Sequence, residues 1–344
     1  MPWVVVVLYV IVMLQKSIWL LLIVIYLANA ENEYPCVEFP VESQCLLDQI
    51  VYHPGQQIVF PDGYTHFRID VSKYMYGTAS NISEFDEQLY VAMHRPAGVE
   101  LKNVNMKRLV LPPTLKFGSF SRNKLYTIDI DRTKIYQISF LDLDSNDISD
   151  LSNISALINL ETLHLQYNRI ATIDKSTFAP LVKLKRLYLE QNPFRTLPWE
   201  SLPATLTHLD CRGSELESID FGRSHLPALQ YLDLENNEIL TINVTDILRA
   251  APNLKQAYMF NHQIPSDEMV EIVKVLNQHN ITNYFDDHEY CYYGEKYVEG
   301  RCVVPPKPYV GFSTRMSVVL TVVTLIVGAL LVYLVYWAFT QMTR

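Results

Sequence analysis

The most regular part of the chain is an apolar motif that is clearest in Leu160-Glu-Thr-Leu163-His-Leu165-Gln-Tyr-Asn168-Arg-Ile170. It recurs in Leu184-Lys-Arg-Leu187-Tyr-Leu189-Glu-Gln-Asn192-Pro-Phe194 and in Leu229-Gln-Tyr-Leu232-Asp-Leu234-Glu-Asn-Asn237-Glu-Ile239. Fainter copies begin at Ile138, Leu206 and Leu254. Successive copies start 22, 24, 22, 23 and 25 residues apart. One short match can arise by chance, but a phased series indicates a repeat architecture.

The motif and its spacing are those of a leucine-rich repeat, which predicts an α/β solenoid. Each repeat forms one coil, and its L-x-L core forms a short strand with the leucines turned inward. Stacked coils align these strands into a curved parallel sheet, a horseshoe, because no coil can bury its apolar face alone. The ninth position should bond to buried backbone of the turn; it holds Asn146, Asn168, Asn192 and Asn237, with Ser214 and His262 in weaker repeats.

The residues between the inward leucines should face outward on the concave side. The third positions hold Phe140, Thr162, Arg186, His208, Tyr231 and Gln256, and the seventh positions hold Asp144, Gln166, Glu190, Arg212, Glu235 and Phe260. Aromatic, arginine and histidine side chains beside acidic ones are typical of a protein-recognition surface; plain solvation is the alternative. We predict these ligand-binding residues: Phe140, Asp142, His164, Arg186, Tyr188, His208, Asp210, Tyr231, Asp233 and Tyr258.

Before the clear repeats the phasing degrades. Ile128 lies only 13 residues before Leu141, so either one coil has lost its convex arm or the segment belongs to an N-terminal cap. Val99-Glu-Leu101 is a candidate earlier strand. Turn signals at Pro54-Gly55 and Asp62-Gly63 suggest capping hairpins in residues 46–98. We expect an N-terminal cap with a disulfide over residues 31–105 and the repeats over residues 106–264.

The repeats should end in a second cap over residues 265–304. Its apolar spacing predicts a closing helix from Ser266 to Gln278. Cys36 and Cys45 bracket eight residues near the start, and Cys291 and Cys302 bracket ten after the last repeat. In an oxidising compartment both pairs predict short-loop disulfides at the solenoid ends. Cys211 occupies an inward position, which favours a buried free thiol over an intermolecular bridge.

The two ends of the chain predict export and anchoring. Residues 1–30 carry an apolar run and a small-x-small site, which predicts a signal peptide that starts at Met1 or Met13; an uncleaved anchor is the alternative. After a stalk over residues 305–315, residues 316–339 run uncharged, enough to cross about 30 Å of hydrocarbon. Residues 340–344 remain as a cytoplasmic tail. A retained helix fits better than a removed lipid-anchor signal, which predicts a type I single-pass plasma-membrane protein.

Charge and motifs narrow the function. Between these ends, 26 basic residues face 37 acidic ones, a net charge of −11, which disfavours nucleic acid and permits a basic protein partner. We find no catalytic, nucleotide or metal motif, so we expect no enzyme, no cofactor and no metal. Four N-x-S/T sequons suggest exposed glycans at Asn81, Asn153, Asn243 and Asn280.

The chain resembles the leucine-rich-repeat immune proteins of mosquitoes. The likeness rests on Cys36-x8-Cys45, on Glu100-Leu-Lys-Asn103 before a Leu-Pro segment, and on Cys291-Tyr-Tyr-Gly-Glu-Lys-Tyr-Val-Glu-Gly-Arg-Cys302. Soluble members dimerise through a coiled coil and an extra cysteine, and some bind complement-like thioester proteins. Here Val303 follows Cys302 and no heptads occur, so the chain resembles the membrane-bound type.

We therefore expect a cell-surface recognition protein of innate defence that binds an extracellular protein or microbial ligand through the concave face. Since few residues follow the predicted span, a signal would pass through a membrane co-receptor, and the Thr324 to Gly328 spacing permits close helix approach. The alternative is a cell-adhesion or developmental surface protein with the same solenoid.

Overall fold

The computed structural model describes residues 32–34, 36, 43–47, 49–69, 80–260, 262–283, 296–298 and 301–303. The chain divides into two units, Met1–Tyr284 and Phe285–Arg344. The predicted signal peptide, stalk, membrane span and tail, and Cys291, lie outside the described residues. Among the residues that are described, no helix has the length and hydropathy of a membrane span.

Short strands dominate the structure. In chain order they are β1 (Asn32–Glu33), β2 (Gln44–Leu47), β3 (Val51–Tyr52), β4 (Ile58–Val59), β5 (His66–Ile69), β6 (Asn81–Ile82), β7 (Glu84–Phe85), β8 (Gly98–Glu100), β9 (Arg108–Val110), β10 (Phe117–Ser119), β11 (Thr127–Asp129), β12 (Phe140–Asp142), β13 (Thr162–His164), β14 (Arg186–Tyr188), β15 (His208–Asp210), β16 (Tyr231–Asp233), β17 (Gln256–Tyr258), β18 (Lys296–Val298) and β19 (Arg301–Val303). The helices are α1 (Glu87–Ala92), α2 (Lys175–Phe178), α3 (Val244–Ala250) and α4 (Ser266–Gln278), with 3-10 turns η1 (Ile154–Ala156) and η2 (Trp199–Ser201).

A ten-stranded parallel sheet confirms the predicted solenoid. Its order is β17-β16-β15-β14-β13-β12-β10-β8-β5-β2. The fourth-position leucines of neighbouring repeats are paired in register, as Leu141 with Leu163 and Leu163 with Leu187. These side chains are fully buried, and burying one leucine contributes about 1.5–3 kcal/mol. The leucine spacing therefore reports directly on the packing between coils.

The sheet extends into the segment that we predicted to be an N-terminal cap. Strands β2, β5 and β8 pair in parallel, and β8 includes the expected Val99-Glu100 strand. The hairpins expected in residues 46–98 are wrong, since the described pairings there are parallel. Gly55 and Gly63 have positive φ angles of 87° and 92°, so they turn the chain within a coil and do not return it antiparallel.

The segment around Ile128 belongs to a complete coil, whereas its spacing from Leu141 predicts a shortened coil or a cap. β11 lies in a second, three-stranded parallel sheet with β9 and β7, while β10 supplies the coil's strand in the main sheet. The sequence of this repeat departs from the motif. Gly118 stands at the fourth position and Phe120 at the sixth position, where the clear repeats have leucine. A Cβ at Gly118 would lie 2.8 Å from the Phe120 ring, so the larger ring occupies the space that a leucine would take.

Ninth-position asparagines bond to buried backbone, as predicted. Asn168 donates through Nδ2 to the carbonyl oxygens of Leu143, Leu165 and Gln166, each at 3.0 Å, and its Oδ1 accepts from the Ile148 N–H at 3.0 Å. Asn123, Asn146, Asn192 and Asn237 bond in the same way, and we call this series the asparagine ladder. Ser214 interrupts it, because its buried Oγ has no hydrogen-bond partner.

Several other predicted features of the chain are also present. Helix α4 has the predicted bounds, Cys36 and Cys45 form a disulfide, and Cys211 is a buried free thiol. In the second unit, β18 and β19 form an antiparallel hairpin with Cys302 in the second strand. The bond from Cys302 to Cys291 stays a prediction.

Candidate ligand-binding surface

The outward face of the ten-stranded sheet, which we call the concave face, holds every predicted ligand-binding residue. Register aligns them into two rows that cross the coils. The third-position row pairs Arg186 with His208 and His208 with Tyr231. The fifth-position row contains Asp142, His164, Tyr188, Asp210, Asp233 and Tyr258.

Four rings cross the first half of this face as two stacked pairs. The Phe117 and Phe140 centroids lie 4.5 Å apart with planes at 8°, and His164 and Tyr188 stack at 4.4 Å and 9°. Phe140 and His164 join the pairs through a tilted contact, with centroids 5.5 Å apart and planes at 50°. Neighbouring parallel strands are about 4.8 Å apart, so rings at equivalent positions meet face to face. We call these four partly exposed side chains the aromatic ladder; Phe117 was missed because its repeat was not recognised.

A second ring series covers the other half. His208 stacks on Tyr231 with centroids 5.7 Å apart, and Tyr231 contacts Tyr258 at 5.4 Å. Burial lowers the pKa of His164 and of His208, which favours the neutral imidazole at neutral pH. Between the two series stands the exposed Arg186, whose Nε donates to Thr162 Oγ1 at 3.1 Å.

Three predicted contact residues do not face solvent. Asp210, Asp233 and Tyr258 are only 3%, 2% and 6% exposed, so their predicted exposure is wrong. Each aspartate accepts a bond from the backbone N–H two residues later, at Arg212 and Glu235, both at 3.1 Å. This local turn holds each carboxylate against the backbone at the end of its strand.

Three carboxylates contact one guanidinium at this end of the concave face, and Glu235 lies on the same strand end as one of them. Arg212 lies 2.9 Å from Asp210, 3.7 Å from Asp233 and 3.5 Å from Glu190. We call Glu190, Asp210, Asp233 and Glu235 the carboxylate cluster. Burial, followed by the Asp233 charge, raises the pKa of Asp210 to about 6 and that of Glu235 to about 7. Burial also raises the pKa of Asp233, whose Oδ2 accepts from the Tyr231 hydroxyl at 3.0 Å. The cluster thus carries more negative charge than Arg212 balances.

The described part of the chain holds no group of three histidine, cysteine or acidic side chains arranged for a metal. Of the predicted glycosylation sites, Asn81, Asn243 and Asn280 are exposed and Asn153 is half-buried. Asn243 caps α3 by accepting from the Asp246 N–H at 3.3 Å. Attachment of glycans at these positions stays a prediction.

Comparison with known proteins agrees with the repeats. Residues 137–194 match the family model described as "Leucine rich repeat". The chain is 28% identical over 143 residues to Podocan of Mus musculus, covering 40% of this chain and 23% of Podocan. It is 36% identical over 101 residues to Lumican of Homo sapiens, covering 29% of this chain and 30% of Lumican. The chain therefore spans less than a third of either relative.

Among solved structures, a leucine-rich-repeat protein of Leptospira interrogans aligns at 19% identity and a TM-score of 0.46, covering 70% of this chain and 72% of that one. The resemblance to the mosquito immune proteins stays a prediction. Residues 137–194 thus match leucine-rich repeats, and the stacked parallel coils of the ten-stranded sheet have the architecture of a leucine-rich-repeat solenoid.

Proposed function

We propose that this chain is an extracellular recognition protein that binds a protein ligand on the concave face. The aromatic ladder is the observation that supports this most. Rings of Phe117, Phe140, His164 and Tyr188 remain partly exposed on a sheet whose other face is already a packed core. A face that only met water would gain nothing from them, whereas rigid aromatic side chains are favoured at the energetic centres of protein interfaces.

Rigidity of the surface supports the same proposal. Each ring stands on a strand hydrogen-bonded on both sides, and each is stacked on a neighbouring ring. Little side-chain freedom therefore remains to be lost when a ligand binds, and ordering a flexible side chain at an interface costs about 0.5–1.5 kcal/mol. A preformed row of rings keeps that cost low.

The carboxylate cluster supports a basic partner. Glu190 and Glu235 are partly exposed beside the buried Asp210 and Asp233. A lysine or arginine of the ligand would lower the raised pKa values of Asp210 and Glu235 and would share the charge that Arg212 alone now balances. The ligand we propose is a protein with an apolar patch for the ladder and a basic group for the cluster.

Export, a membrane anchor and a role in innate defence complete the proposal. The predicted signal peptide, the predicted membrane span and the sequons support the location, and the resemblance to mosquito immune proteins supports the role. Induction of the chain in blood cells on infection would support defence; patterned embryonic expression without induction would favour the adhesion alternative instead.

The test displays the full chain on cultured cells and measures binding of purified extracellular proteins, basic and acidic, by flow cytometry. A specific ligand should lose at least tenfold in affinity with Tyr188→Ala or with Phe140→Ala, since each tenfold change is about 1.4 kcal/mol and central aromatic anchors contribute more than that.

The matched control is Tyr126→Ala, which removes an aromatic ring that is 61% exposed but lies off the concave face. Its binding should equal that of the unchanged chain. A ligand whose affinity falls with Tyr126→Ala and not with the concave variants would place binding elsewhere and refute the proposal.

A further inference from the structure

The three-stranded sheet on the opposite side of the coils ends at an open edge. Within the described part of the chain, β11 pairs with β9 alone. The next coil has the 3-10 turn η1 near this edge and no strand to continue the sheet. Open strand edges invite pairing with other chains, and proteins usually cover them.

A cleft of about 150 Å³ follows this edge. On one side it is lined by five consecutive residues of the edge segment, 126–130, and on the other by Asp150, Asn153 and Ile154. Cavities of about this volume can hold a six-membered ring such as benzene. The cleft is therefore the size of a single ring and runs along unpaired backbone.

Asn153 is the only sequon asparagine that lines this cleft. Its side-chain oxygen accepts from Arg132 Nε at 3.1 Å, while the Arg132 Nη2 donates to the Ser152 carbonyl at 2.6 Å. The first bond orients the Asn153 amide, and the second holds the Arg132 guanidinium in place. The nitrogen that a glycan would be attached to is the other branch of that amide, which leaves the Arg132 contact intact after modification.

The lining suits a sugar. Tyr126 is 61% exposed. The apolar C–H face of a pyranose packs against an exposed aromatic ring of this kind. Asp129 and Asp150 supply carboxylate oxygens that accept bonds from sugar hydroxyls. Asp150 also accepts from the Ser152 N–H at 2.8 Å and Asp129 pairs with Arg108, so both carboxylates are held in place.

We propose that an N-linked glycan on Asn153 seats its first sugar in this cleft, against Tyr126, and covers the open edge of β11. The occupant is a covalent part of this chain, and the seat is separate from the concave face. The inference rests on the extracellular location in the proposed function, because only exported chains receive such glycans.

The experiment expresses the full chain in insect cells and maps glycans by mass spectrometry, then measures oxidation of Tyr126 by hydroxyl-radical footprinting. Two variants each remove one sequon and keep its asparagine: Ser155→Ala for Asn153 and Thr245→Ala for the exposed Asn243. Tyr126 oxidation should rise severalfold with Ser155→Ala and stay unchanged with Thr245→Ala.

Trimming with an endoglycosidase that leaves the first sugar on asparagine should keep Tyr126 protected, because that sugar fills the cleft. Equal oxidation in Ser155→Ala and the unchanged chain would overturn the seat. Glycans on the other sequons with none on Asn153 would also overturn it while leaving export intact. Glycans on no sequon would overturn this inference and the extracellular location together.

Discussion

Replacing Asn168 by alanine should cost about 3 kcal/mol of unfolding free energy. The change removes three bonds donated by Nδ2 and one accepted by Oδ1. The three carbonyls each keep another donor: Asn146 for Leu143, Asn192 for Leu165, and the Ser145 N–H for Gln166. Only the Ile148 N–H loses its acceptor in the ladder.

The magnitude follows from that accounting. An orphaned buried N–H costs about 1–3 kcal/mol. The Asn168 amide has only two N–H groups for its three acceptors, and each acceptor keeps another donor, so the bonds lost from Nδ2 add about 1 kcal/mol in all. The orphaned Ile148 N–H therefore dominates, and the sum is about 3 kcal/mol. Urea unfolding followed by circular dichroism measures the change, and an unaltered m-value would show that the loss lies in the native state.

Ser214→Ala is the matched control in the same ladder position. The Ser214 hydroxyl is buried without a partner, so its removal should leave the unfolding free energy unchanged or raise it, because no hydrogen bond is lost and an unsatisfied buried group is removed. If Asn168→Ala costs under about 1 kcal/mol, or if Ser214→Ala costs as much as Asn168→Ala, the hydrogen bonds of the asparagine ladder do not stabilise the stacked coils.

Three further outcomes are expected. The contribution of Asp210 and Glu235 to thermal stability should rise as pH falls from about 7.5 to about 5, because their folded pKa values (about 6 and about 7) exceed their ordinary values, so the folded state binds more protons at these two sites. The lowered pKa values of His164 and His208 act in the opposite direction, so the measurement compares the unchanged chain with Asp210→Asn and Glu235→Gln; the same pH dependence in all three chains would contradict this. Cys211, fully buried with a raised pKa, should react with a thiol reagent only after unfolding; rapid labelling of the native chain would refute its burial. Replacing Cys36 and Cys45 by serine should lower the unfolding free energy by about 2–3 kcal/mol, which is the loop-closure value for a short loop. Urea unfolding measures the change, with the reduced wild-type chain as the control. An unchanged unfolding midpoint would show that the disulfide does not stabilise the fold.

The clear repeats were predictable because each inward position holds a leucine that packs between neighbouring coils. In the coils before residue 138, residues other than leucine fill the same space. Gly118 and Phe120 share the volume that two leucines fill elsewhere, and Val104 stands where asparagine is expected. Such exchanges preserve packing and erase the spacing pattern, so the earlier coils became visible only through strand pairing.

The site was predictable in position but not in exposure. Alternation along a strand places Asp210 and Asp233 on the concave face, yet both are buried. Aspartate commonly accepts from the backbone N–H two residues on, and Asp142, Asp210 and Asp233 all do so. Because Asp142 is nonetheless partly exposed, this local turn does not by itself predict burial. The raised pKa values depend on distances between coils, which no single repeat contains.

Ser214 interrupts the asparagine ladder in the coil that also contributes Asp210 and Arg212 to the concave face. Coils of a solenoid contact only their neighbours, so a missing ladder bond weakens one joint and leaves the others unaffected. We expect that joint to bend more easily than its neighbours. A ligand that contacted both halves of the concave face would restrain the joint, so ligand binding should reduce the bending of the array.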